Sequence, residues 1–162
     1  MSDPIKDALN MIPYGFYAIT SKADDEVNIM VANWLSQMSF SPRLVAVGIA
    51  KSAYSHDLMQ KGRVFAVNIF HKEDADLIKG FTKSIRKNSD KVKDASFTAG
   101  AETGCPIVEG AAAYLECEIT AIIDLGGDHD IIVGEPIGAG VSKAGDAADT
   151  LSLPHIGWSY AG

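Results

Sequence analysis

Ala113-Tyr114-Leu115-Glu116-Cys117-Glu118-Ile119-Thr120-Ala121-Ile122-Ile123 sets Ala113, Leu115, Cys117, Ile119 and Ala121 on one parity and the mostly polar Tyr114, Glu116, Glu118 and Thr120 on the other. A period of two sustained over that length is a strand with one face on a core, whereas an amphipathic helix would repeat at three and four. Gly126-Gly127 follows as a turn, and the run from Asp130 to Ile137 is expected to pair back antiparallel. Upstream lie Gly15 to Thr20, Val27 to Asn33 with Val27, Ile29 and Val31 on one face, Leu44 to Ala50, and Val64 to Phe70. Asp24-Asp25 makes a hairpin of the first two. Leu44 to Ala50 is apolar on both parities, as in a strand between a barrel interior and a covering layer. Helices are short: Pro4 to Met11, Tyr54 to Lys61, and Glu73 to Phe81, where Ala75, Leu77, Ile78 and Phe81 have helical spacing. Many strands joined by short turns imply a mainly β barrel with a few short helices.

The chain has 162 residues, 47% of them hydrophobic, enough for one core and too few for two ordinary domains, so a single domain over residues 1–162 is expected. No apolar run approaches the roughly 20 residues of a membrane span. Met1-Ser2-Asp3-Pro4 lacks the basic start of a secretory signal, and the expectation is a cytoplasmic protein with no membrane partner. A net charge of -7, spread along the chain, opposes nonspecific attraction to nucleic acid. It leaves room for one phosphate held by backbone N–H groups and a local cation. Cys105 and Cys117 lack metal-ligand spacing and read as structural thiols. Asp128, His129 and Asp130 alternate faces on a strand, so no metal site is expected there.

Two segments look like binding sites. Ala32-Asn33-Trp34-Leu35-Ser36-Gln37 leaves a strand and mixes hydrogen-bonding side chains with an indole, a surface suited to a flat ring with polar edges. The other reading of this segment is a polar turn that bonds its own backbone. Ile49-Ala50-Lys51-Ser52-Ala53-Tyr54-Ser55-His56 passes from a buried strand into a helix that starts at a serine. Free N–H groups of the first turn, the Ser52 and Ser55 hydroxyls, Lys51 and His56 could there converge on a phosphate, or Ser52 could simply cap the helix.

In order and spacing these segments resemble the flavin reductase-like family of FMN-binding split barrels. The resemblance runs from about Met11 to about Lys143 through Pro13-Tyr14-Gly15-Phe16-Tyr17-Ala18-Ile19-Thr20, Ala32 to Pro42, and Leu44-Val45-Ala46-Val47-Gly48-Ile49 with Lys51-Ser52 and Ser55-His56. It continues through Phe65-Ala66-Val67-Asn68-Ile69, Cys105-Pro106, and Gly127-Asp128-His129-Asp130-Ile131-Ile132-Val133-Gly134-Glu135. It implies an FMN-binding split β-barrel of Greek-key type, a homodimer, and noncovalent FMN near the subunit interface. The phosphate would lie against Ala50, Lys51, Ser52, Ser55 and His56, and the ring against Ala32, Asn33, Trp34, Leu35 and Ser36. His129 would serve the step in which NAD(P)H delivers hydride, or stabilise reduced flavin.

Two features depart from the family pattern: Trp34 stands where many members have a small residue, and the segment from Phe81 to Val92 carries Lys83, Arg86 and Lys87. Arg86 could reach a phosphate, or the stretch could be a solvated basic loop. Three functions therefore stay open: an NAD(P)H-dependent flavin or ferric reductase, a flavoredoxin-like carrier fed by a redox protein partner, and a nonredox FMN-binding module.

Overall fold

The computed structural model describes residues 1–83 and 90–160. Arg86 and Lys87 of the basic stretch lie outside the described residues.

Seven strands form one sheet in the order β2-β1-β5-β8-β9-β4-β3, every neighbour antiparallel. They are β1 (Tyr17–Ala23), β2 (Glu26–Ala32), β3 (Leu35–Phe40), β4 (Arg43–Ala50), β5 (Val64–Ile69), β8 (Ala113–Ile123) and β9 (His129–Val141). A short hairpin, β6 (Phe97–Ala99) with β7 (Pro106–Val108), stands apart. β2 and β3 occupy opposite ends of the sheet order, yet only Asn33 and Trp34 separate them along the chain. The sheet therefore has to curl until its two edges approach at that dipeptide, which is the seam of a split barrel.

Alternation sorts the side chains into two cores. Ile19, Val47, Ile49, Phe65, Val67, Cys117, Ile119 and Ile132 fill the barrel, and Met59 of α2 (Tyr54–Gly62) joins them. The opposite face of β1 and β2 presents Ala18 and Ile29 to a second layer containing Phe16, Phe70, Ile78, Phe81, Leu151 and Leu153. The remaining helices are α1 (Pro4–Leu9), started by the Asp3 carboxylate accepting from the Ile5 and Lys6 amides, and α3 (Asp76–Lys79), which follows a 3-10 turn over Lys72–Asp74. The single helix expected from Glu73 to Phe81 is thus split in two.

Two other expectations change. Leu35–Phe40, read as a polar turn, is an edge strand on β4 with a bulge between Gln37 and Ser39; beyond Leu35, which packs against the barrel core, most of its side chains are exposed, so it lacks apolar alternation. Glu116 lies on the polar parity of β8 but is 1% exposed, because the loop before β7 covers it. Its carboxylate accepts from the Glu102 and Thr103 amides and from the Thr103 hydroxyl, at 2.8–3.4 Å.

Candidate functional site

At the seam, the Trp34 carbonyl accepts from the Gly48 amide at 2.8 Å and extends the β3–β4 ladder. The indole lies over Gly48, where an added Cβ would sit 3.1 Å from Trp34 Cε3, so a glycine leaves the ring its place. Tyr14, Asn33, Trp34, Leu35, Ser36, Gly48, His129 and Asp130 line a cavity of about 760 Å³. The Trp34 ring centroid is 4.7 Å from His129, tilted by 53°, and 6.5 Å from Tyr14. His129 Nδ1 bonds the Asp128 carboxylate at 2.7 Å, an interaction that lowers the Asp128 pKa. Among the described residues this leaves Nε2 to meet a ligand. Among the described residues Trp34 Nε1 is buried with no acceptor.

A smaller cavity of about 250 Å³ lies between β2 and the start of α2, lined by Asn28, Met30, Val31, Ser52, Ala53, Tyr54, Ser55, Phe81, Thr82, Lys83 and Lys91. The helix begins at Tyr54 as expected, but its N-cap is Ala53, with no side-chain cap, and not Ser52. The first-turn amides of α2 are left to other partners by the geometry of any helix end. Asn28 Nδ2 donates to Ser55 Oγ at 2.8 Å, while Asn28 Oδ1 is buried without a partner among the described residues. Lys91 is 6% exposed, and burial pushes its pKa down to about 8. Its ammonium donates to the Lys83 carbonyl at 2.8 Å. A buried cation beside two hydroxyls and an uncapped helix start is a donor set that fits a phosphate, and the larger cavity, lined by Asn33, Trp34 and Ser36, fits a polar-edged ring.

The ten candidate binding residues and His129 therefore divide. Asn33, Trp34, Leu35, Ser36 and His129 meet in the large cavity, and Ser52 and Ser55 in the small one. Ala32 belongs to the barrel interior, and Ala50 pairs with His129 across β4 and β9. Lys51 and His56 do not line the small cavity. Lys51 Nζ lies 2.7 Å from Asp124 Oδ1 and 3.8 Å from Asp130 Oδ1, and the Lys51 amide donates to the Asp128 carbonyl. The Asp124 bond raises the Lys51 pKa and lowers that of Asp124. His56 is buried with Nε2 at 2.6 Å from Asp130 Oδ2. Both side chains thus brace the turn that presents His129, and neither reaches toward the Ser52–Ser55 pocket. Lys91 and Asn28 escaped the sequence reading because each comes from a segment remote from the α2 junction and neither stands in a motif. Cys105 and Cys117 are fully buried, and burial raises their pKa values to about 11 and about 12, as expected of structural thiols.

Residues 9–155 match the family described as the flavin reductase like domain. The chain is 33% identical over 138 residues to a putative diflavin flavoprotein A of Nostoc sp., covering 85% of this chain and 24% of that protein. It is 31% identical over 141 residues to the high molecular weight rubredoxin of Moorella thermoacetica, covering 86% and 61%. The chain thus spans about a quarter of the length of the diflavin flavoproteins it matches. Two solved structures share the fold at 27% identity. One is an FMN-binding protein from Thermus thermophilus with bound 1-cyclohex-2-enone, at TM-score 0.76 over 87% of this chain and 78% of that one. The other is an NADH:FAD oxidoreductase of Streptomyces globisporus, at TM-score 0.75 over 94% and 84%.

Proposed function

Because the chain belongs to the flavin reductase like domain family, we propose that it is a flavoprotein oxidoreductase that holds FMN noncovalently and uses NAD(P)H to reduce flavin or ferric iron. The observation that carries this reading is the small cavity in which buried Lys91 meets Ser52, Ser55 and the uncapped start of α2. It supplies a buried cation and several donors in a protein of net charge -7, which is what a single phosphate monoester needs. The ring would lie toward Asn33–Ser36.

Bound FMN supplies a two-electron carrier that accepts hydride and passes electrons on. The chain's own contribution is placement. Lys91, Ser52 and Ser55 would hold the phosphate, with the Lys91 ammonium offsetting part of its charge. His129, held by Asp128 at Nδ1, turns Nε2 to the ligand and can hold or give a proton there. Lys51 and His56, both through Asp130, keep the Asp128–His129 turn against β4, so that the imidazole is fixed before the ligand arrives. A homodimer belongs to this reading: Met38, Phe40, Leu125 and Ile131 are exposed apolar residues that a second copy would cover.

A second reading, a flavoredoxin-like carrier fed by a redox protein, is favoured by the relatives' names, since diflavin flavoproteins and a high molecular weight rubredoxin are longer proteins of which this chain matches a part. An anaerobic titration of the FMN-loaded protein with NADH and NADPH separates the two. Loss of the flavin absorbance band on adding nicotinamide supports the reductase. Reduction by dithionite alone favours the carrier, and a flavin that resists both reductants points to a nonredox binding module.

A further inference from the structure

The indole of Trp34 does more than line the large cavity: it covers one side of His129, with ring centroids 4.7 Å apart. A second ring, Tyr160, stands edge-on to the same indole at 5.1 Å and 63°. Tyr160 arrives at the end of a strap with a defined course. The 3-10 turn Leu153–Ile156 is anchored by buried Leu153 and ends at Gly157, whose φ of 71° reverses the chain. The Trp158 amide then donates to the Leu153 carbonyl, and the Trp158 ring stands edge-on to buried Phe16 at 5.7 Å. Beyond that point the strap is held lightly, since Trp158 and Tyr160 are 45% and 48% exposed.

A single edge-on aromatic pair shifts a closed-to-open ratio by about tenfold at most, so Tyr160 can hold the indole in place and still release it. Among the described residues the closed position also leaves Trp34 Nε1–H buried without an acceptor, which disfavours it unless something else enters. We propose that Trp34 is a specificity-determining gate over His129, latched by Tyr160, and that its unpaired N–H selects a planar heteroaromatic co-substrate bearing a carbonyl or carboxamide acceptor. A ligand of that class offers the indole the bond it lacks and a ring to stack on once it has moved. A small anionic reductant has no use for either feature. The assignment of the co-substrate rests on the reductase reading of the cavity; the latch does not.

The test uses the full chain in a Trp158→Phe background, where Trp34 is the remaining tryptophan of the two. Acrylamide quenching of Trp34 fluorescence is compared with and without Tyr160→Ala. The latch predicts that releasing Tyr160 raises the quenching constant by about twofold or more, while unchanged quenching overturns the proposal whatever the nicotinamides do. On the FMN-loaded protein, Tyr160→Ala should lower KM for NAD(P)H and leave the dithionite rate alone. Trp34→Phe, which keeps an aromatic ring and removes the N–H, should raise that KM by about tenfold. Higher quenching with neither KM changed overturns the selecting role and keeps the latch. Higher quenching in a protein that no nicotinamide reduces keeps the latch and overturns the reductase reading with its co-substrate.

Discussion

Replacing Lys91 with methionine should move stability and ligand affinity in opposite directions. The ammonium is 6% exposed and bonded to one carbonyl, that of Lys83. Its pKa falls from 10.5 to about 8, which corresponds to about 3 kcal/mol against the charged form. Methionine has similar length and no charge, so the variant sheds that penalty and loses one hydrogen bond, for a net gain of about 1–2 kcal/mol in the flavin-free protein. For a domain of this size that raises Tm by about 2–6 °C. FMN should bind about 10–100-fold more weakly, because a charge-assisted bond to the phosphate is lost, while riboflavin, which has no phosphate, should bind as before. The sign of the pH dependence follows from the depressed pKa. The folded protein releases this proton earlier than the unfolded chain, so the penalty is full below about pH 8 and fades as pH rises toward 10.5. Wild-type stability should therefore gain on Lys91→Met across that window, and inorganic phosphate should bind less well above pH 8 in the wild type only. Thermal melts with and without FMN, and fluorescence titrations with FMN and riboflavin, read all of these. A Lys91→Met variant that melts lower without flavin, or keeps the wild-type preference for FMN over riboflavin, refutes the reasoning.

Lys51→Ala should leave FMN affinity within about threefold and slow reduction by NAD(P)H, since Lys51 braces the His129 turn; stopped-flow traces that match wild type would remove that role. His129→Ala should likewise keep the flavin and lose reduction rate in the same assay. Glu116→Leu should cost about 3 kcal/mol in urea unfolding, because the Glu102 and Thr103 amides lose a buried acceptor. Cys105 and Cys117, with pKa values of about 11 and about 12, should not react with a thiol reagent at pH 8 until the protein unfolds, and rapid labelling of the native protein would contradict their burial.

The strands that the sequence reading located are those with strong local signals. Ala113 to Ile123 is found with the same bounds, and the runs at Val27, Leu44 and Val64 shift by at most a residue at either end. β3 was missed because an edge strand with outward polar side chains carries no alternation to read. Ser52 and Ser55 were legible as pocket residues because a strand-to-helix junction is a local event. Lys51 and His56 looked equivalent to them in sequence, but their directions depend on carboxylates 73 and 74 residues away, Asp124 and Asp130.

By itself the sequence determined the strand periods, the hairpin at Asp24-Asp25, the buried junction at residues 49–56 and the ordered motifs that carry the family resemblance. These are properties of neighbouring residues, set by side-chain alternation and turn chemistry. The tertiary structure alone decided that the sheet's edges approach at Asn33-Trp34 and that buried Lys91 lines the small pocket. It also decided that Lys51 serves the His129 turn and that Tyr160 rests on Trp34. Each of these depends on closing a long loop against a particular surface. The free energy of such a contact comes from burial and charge at the destination, which the segments at either end of the loop do not encode.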